Sequence, residues 1–120
     1  MHEFSVARSI CRIAIEEARR NGVTRITSVC VEVGTMRQVV PQLLQTAFDI
    51  ASRGTSLEGA ELEIRKVPIT IKCQSCGQYS VSEEMQMCCD MCSSTQIEIS
   101  GGNELLVSSI RVVEGVCHEH

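Results

Sequence analysis

Two Cys-x-x-Cys pairs, Cys73 with Cys76 and Cys89 with Cys92, constrain this chain more than any other feature, and twelve residues separate them. A turn of this kind presents two sulfurs to one ion. Two such turns on neighbouring hairpins close a tetrahedral shell of four thiolates at about 2.3 Å, the geometry zinc prefers. A closed shell keeps no position open for water or substrate, so the site reads as structural zinc rather than a catalytic metal. A redox dithiol and an iron–sulfur cluster use the same residue types, and paired turns argue against the dithiol. Gly77, directly after the first pair, lets backbone N–H groups approach the sulfurs and offset their charge. Cys88 lies beside Cys89, but only Cys89 gives the Cys-x-x-Cys spacing with Cys92. Cys88 is then an incidental thiol or a spare ligand during metal exchange.

The setting of the cysteines supports metal over disulfides. There are eight in 120 residues. The N-terminus shows no basic segment running into an apolar stretch, so Met1 reads as the natural start and a reducing, cytoplasmic location follows. No apolar run approaches the ~20 residues that span a bilayer. The formal charge is −4, and Cys73 to Ser100 holds Glu83, Glu84, Asp90 and Glu98 but no Lys or Arg. Such a segment repels a phosphate backbone, which argues against nucleic acid as a partner.

Outside that segment, the periodicities predict an α+β fold. Val6, Ile10, Ile13, Ala14 and Ala18 recur at helical spacing across Ser5–Arg20, with Ser5 as N-cap and Gly22 as the stop. Arg25–Gly34 alternates as a strand rich in β-branched residues. Pro41–Ser52 reads as a second helix, with Pro41 at its first position, Leu44, Ala47, Phe48 and Ala51 buried, and Gly54 beyond its end. Glu61–Ile71 reads as a strand with an edge or bend at Pro68, and Glu104–Val113 as another, entered through Gly101 and Gly102. Two helices then cover one face of a three-stranded sheet. The cysteine segment is an insert between two strands, a zinc-ribbon-like lobe too small to fold without metal. The expected division is residues 1–72 with 101–120 as one domain, and residues 73–100 as the zinc-binding domain. Cys11 and Cys30 fall within the helix and strand patterns and read as small buried hydrophobes.

Met1-His2-Glu3 is the second informative feature. The terminal amine, the His2 main-chain nitrogen and the His2 imidazole can close adjacent chelate rings on one ion. The Glu3 main-chain nitrogen or carboxylate can complete a square, an arrangement that suits Ni(II) or Cu(II). The alternative is a solvated terminal histidine. The tail Cys117-His118-Glu119-His120 offers more potential ligands, and reads first as a solvated tail.

The run Met1-His2-Glu3-Phe4-Ser5, a helix, a strand ending at Gly34, the Cys-x-x-Cys-Gly turn, the second Cys-x-x-Cys and Gly102-x-Glu104-Leu105 occur in one order. In that order they resemble the HypA/HybF family of hydrogenase nickel-insertion accessory proteins, over essentially the whole chain. The resemblance implies a nickel metallochaperone, not an enzyme. It implies Ni(II) as cargo at Met1, His2 and Glu3, and Zn(II) at Cys73, Cys76, Cys89 and Cys92. The implied partners are a HypB-type GTPase and the [NiFe]-hydrogenase large subunit, with urease for some members. The expected state is a monomer or weak homodimer, with no membrane association. Asp90 and Ser93 depart from the family's second turn, where Pro and Gly are usual, and Phe4 and Cys88 are further departures. Nickel binding is expected to weaken as pH falls through the imidazole range, because ligands must lose protons. The rival reading is a zinc-ribbon protein-interaction module with no nickel role.

Overall fold

The structure is a computed structural model and describes residues 2–113. Its elements run α1 (His2–Arg20), β1 (Ile26–Gly34), a 3-10 turn (Thr35–Arg37), α2 (Pro41–Ala51), β2 (Glu61–Val67), β3 (Ile69–Cys73), β4 (Tyr79–Ser82), β5 (Ile97–Ser100) and β6 (Leu105–Val112). Among the described residues no helix is long and apolar enough to cross a membrane.

α1 buries Val6, Ala7, Ile10, Cys11, Ala14 and Ala18, the one-sided stripe its spacing predicts. Glu3 in the first turn and Arg19 and Arg20 in the last complement the helix dipole. The helix differs from expectation in two ways. It begins at His2, not after a Ser5 cap, and Ile13 is 39% exposed. The early start has a physical anchor, because the Glu3 carboxylate accepts a hydrogen bond from the Val40 N–H just ahead of α2. α2 opens with Pro41 at its first position and buries Leu44, Ala47 and Phe48. α1 and α2 pack against each other.

The first sheet has the order β2-β1-β6. In β1, the central strand, Val29, Cys30 and Val31 are buried in succession rather than alternately. The predicted strand over 61–71 is divided at Pro68, which has no N–H for a ladder. β2 ends at Val67, and β3 joins a second sheet of order β4-β3-β5. Both β3 pairings are antiparallel, and Lys72 stands opposite Tyr79 while Cys73 stands opposite Ile97. The Lys72 ammonium lies 5.7 Å from the Tyr79 ring centroid. β4 and β5 are four residues each, too short and too polar to stand out in the sequence pattern.

The described chain forms two compact units. One comprises the residues up to Val31, Val39–Arg65 and those from Leu106 on; the other comprises Glu32–Gln38 and Lys66–Leu105. Within the second, Gly34 donates its N–H to the Glu104 carbonyl at 2.7 Å, and the Thr35 hydroxyl donates to the Val67 carbonyl at 2.8 Å. Arg37 Nε donates to the carbonyls of Asn103 and Glu104, both at 3.1 Å.

Candidate metal centres

The cysteine site is built from two near-identical turns. After Cys73, the Gly77 N–H donates to the Cys73 carbonyl at 2.9 Å, and the Cys73 N–H donates to the Gln78 carbonyl at 2.9 Å. After Cys89, the Ser93 N–H donates to the Cys89 carbonyl at 2.9 Å, and the Cys89 N–H donates to the Ser94 carbonyl at 2.8 Å. The same loop therefore forms twice. Each loop needs a left-handed residue at the same point: Gly77 at φ 77° and Ser93 at φ 63°. The Ser75 and Ser94 hydroxyls meet at 2.8 Å and tie the two turns together.

The sulfurs of Cys73, Cys76, Cys89 and Cys92 all lie within 4.8 Å of one another. Cys73 and Cys92 are separated by 3.6 Å and Cys76 and Cys89 by 3.7 Å. Those separations are far beyond a disulfide. They match the edge of about 3.8 Å that four sulfurs make around zinc at about 2.3 Å. Cys73 and Cys89 are buried, while Cys76 and Cys92 are exposed. Cys89 belongs to the group; Cys88 is exposed and stands outside it.

Backbone N–H groups point at the sulfurs, as the Gly77 position predicts. The Cys76 N–H donates to Cys73 Sγ at 3.4 Å, and the Met91 N–H donates to Cys89 Sγ at 3.3 Å. The first of these contacts leads in pulling the Cys73 thiol down to about 6. Cys92 moves the other way, up to about 12: the Ser94 N–H lowers it, but Cys73, burial and the other two sulfurs outweigh that. Cys76 is raised too: the Gln78 N–H lowers it, and burial with Cys73 and Cys89 prevails. Crowding the sulfurs together thus lowers the Cys73 thiol while raising those of Cys76 and Cys92. A dication removes that conflict, because it stabilises all four thiolates at once. The donor set fits a metal ion.

At the other candidate site, His2 is exposed at the start of α1 and Glu3 is half-buried beside it. The Glu3 carboxyl is held below the usual carboxylate range, first by the Val40 N–H and then by its own N–H. Met1 lies outside the described residues, as do Cys117, His118 and His120. Sequence reasoning missed two contacts, Glu3 with Val40 and Ser75 with Ser94, and one backbone conformation, the left-handed Ser93. The last carried a signal, since Ser93 follows the second cysteine pair as Gly77 follows the first.

Two helices, two three-stranded sheets and four thiols gathered for one ion define a small metal-binding α+β protein. The family model described as "Hydrogenase/urease nickel incorporation, metallochaperone, hypA" matches residues 1–112. The chain is 39% identical over 117 residues to the hydrogenase maturation factor HypA of Nostoc sp., covering 98% of this chain and 99% of that one. It is 36% identical over 112 residues to the HypA of Aquifex aeolicus, covering 93% and 97%. The solution structure of the nickel metallochaperone HypA from Helicobacter pylori shares the fold, with a TM-score of 0.62 at 24% identity over 94% of this chain and 98% of that one. The chain belongs to the HypA family of nickel metallochaperones, which serve hydrogenase maturation.

Proposed function

We propose that this protein carries Ni(II) at its N-terminus and delivers it for maturation of [NiFe]-hydrogenase, catalysing no reaction itself. Urease is a second possible recipient within the same family description. What carries the reading is the family membership together with the exposed His2 at the first residue of α1. The opening N–H groups of a helix have no carbonyl partner within it, so the main-chain nitrogens of His2 and Glu3 stand outside the helix ladder, the Glu3 N–H meeting only its own carboxylate. A nickel-bound amide nitrogen is deprotonated, and the positive end of α1 favours that charge. The ligand set is then the Met1 amine, the main-chain nitrogen and imidazole of His2, and the main-chain nitrogen of Glu3. The Glu3 carboxylate is already engaged with Val40.

Cys73, Cys76, Cys89 and Cys92 hold a structural Zn(II) in this reading. The ion fixes the two turns that a lobe of short strands cannot fix alone. The delivery partners are a HypB-type GTPase and the hydrogenase large subunit, all in the cytoplasm. The domain roles are residues 1–72 with 101–120 for nickel and 73–100 for zinc.

The test is a nickel titration of untagged protein, zinc already bound, against its His2→Ala variant. Loss of the high-affinity nickel equivalent in the variant is the expected result. Equal affinities sink the assignment and leave the zinc-ribbon interaction module as the better description.

A further inference from the structure

α1 carries a polar groove that the metal sites do not use. Ser5, Arg8, Ser9 and Arg12 line this shallow surface groove of about 350 Å³. Ser5 and Ser9 are one turn apart, as are Arg8 and Arg12, so the four side chains form two adjacent rows on one helix side. Both arginines are exposed. Further along the helix, Arg19 pairs with Glu16 and Arg20 with Glu17. Among the described residues, neither Arg8 nor Arg12 has an acidic partner, and neither serine hydroxyl has a hydrogen-bond partner. Two guanidiniums and two hydroxyls thus converge with their donors free, on a chain whose formal charge is −4.

We propose that this groove docks an acidic segment of the protein that exchanges nickel with this one. Planar guanidiniums one helical turn apart suit paired carboxylates, which they bind bidentately. A polyanion such as nucleic acid needs a broad basic field, and two arginines on one side of a helix, in a chain of formal charge −4, do not supply one. The placement fits delivery. Ser5, Ser9 and Arg12 follow His2 by three, seven and ten residues, so they continue down the helix from His2 on one side. A partner seated on the arginines has the nickel-bearing end of α1 within reach. This inference rests on the nickel reading above.

The experiment uses the full zinc-loaded chain and the double variant R8E/R12E. Its affinities for the GTPase and for the large-subunit precursor are measured at low and high salt. Expected are nickel binding within about twofold of wild type and a loss of roughly tenfold or more in affinity for one of those proteins. R8K/R12K keeps the charge and should retain most of that affinity. Unchanged affinity of R8E/R12E for both proteins overturns the proposal. Wild-type binding to a single-stranded oligonucleotide, abolished by R8E/R12E, also overturns it, because the occupant is then a phosphate chain. If wild type binds no nickel but its protein complex remains sensitive to R8E/R12E, the nickel reading fails and the docking face stands.

Discussion

The Glu3 carboxylate accepts the Val40 N–H at 3.1 Å, so a residue in the first turn of α1 caps the approach to α2. Helices often close this contact internally, with a Glu in their own first turn reaching back to the cap N–H. α2 has no acidic residue in its first turn, and α1 supplies one instead.

This contact predicts a pH dependence with a definite sign. The Glu3 carboxyl lies below its ordinary value in the folded chain, chiefly through the Val40 N–H. A depressed carboxylate stabilises the fold above its unfolded value and loses that contribution as pH falls through its folded one. Acid should therefore speed exchange of the Val40 amide before the helices as a whole unfold. Glu3→Ala should exchange fast at Val40 at every pH and melt earlier. Glu3→Gln, which keeps an acceptor, should protect Val40 without the acid dependence. Hydrogen exchange at Val40 identical in all three proteins would refute the cap.

The neighbouring thiols Cys88 and Cys89 should behave as opposites. Cys89 lies inside the four-sulfur group, and Cys88 is exposed outside it. Cys89→Ser should lose the bound zinc, and Cys88→Ser should keep one equivalent, as measured by metal analysis after dialysis. Alkylation of the zinc-loaded protein at pH 8 should label Cys88 before Cys73, Cys76, Cys89 and Cys92. Burial pushes the Cys11 thiol up to about 11, so Cys11 should resist labelling until the chain unfolds. A raised folded value also means that Cys11 stabilises the fold below pH 9 and loses that contribution as pH climbs from 9 toward 11.

Why these features differ in legibility follows from their range. The grouping of the four thiols was readable because Cys-x-x-Cys encodes its geometry within a single turn. Both helices were readable from their apolar stripes, and so was the central strand from its run of valines. The second sheet was not, because Tyr79–Ser82 and Ile97–Ser100 each give only two alternations. Pro68 marked a bend, but a bend does not say that the strand changes sheets there. The start of α1 was misjudged because Ser5 looks like a local cap, whereas the anchor is Glu3 with Val40, 37 residues apart in the chain.

Ser93 offers a gain of stability. It holds the left-handed conformation that Gly77 holds in the matching turn, at φ 63°. A side chain there costs on the order of 1 kcal/mol or more, partly offset by the extra freedom glycine has when unfolded. Ser93→Gly should stabilise the zinc lobe by about 0.5–1 kcal/mol, or roughly two- to fivefold slower loss of zinc to a chelator. Ser93→Val should move the other way. No change in chelator competition for either variant would show that the second turn tolerates both conformations.

Gly34 poses a different problem from Ser93, because its backbone is ordinary. Its φ is −70° and its ψ 148°, extended values that any residue adopts. What excludes a side chain is space: a Cβ on Gly34 would collide with the carbonyl of Gly102, backbone that cannot swing aside. The two strands of chain meet there through the Gly34 N–H to Glu104 and the Met36 N–H to Gly102, at 2.7 and 2.6 Å. Gly34→Ala must push these apart and weaken both bonds. The expected cost is about 3 kcal/mol, at the upper end for overpacking. Gly22 is the control: its φ is 71° and a Cβ there meets nothing within 4 Å. Gly22→Ala should therefore cost only the left-handed strain, about 1 kcal/mol. Urea unfolding of the zinc-loaded variants separates the two. A Gly34→Ala loss no larger than that of Gly22→Ala would mean that the Gly102 segment yields, and that the close approach is not required for the fold.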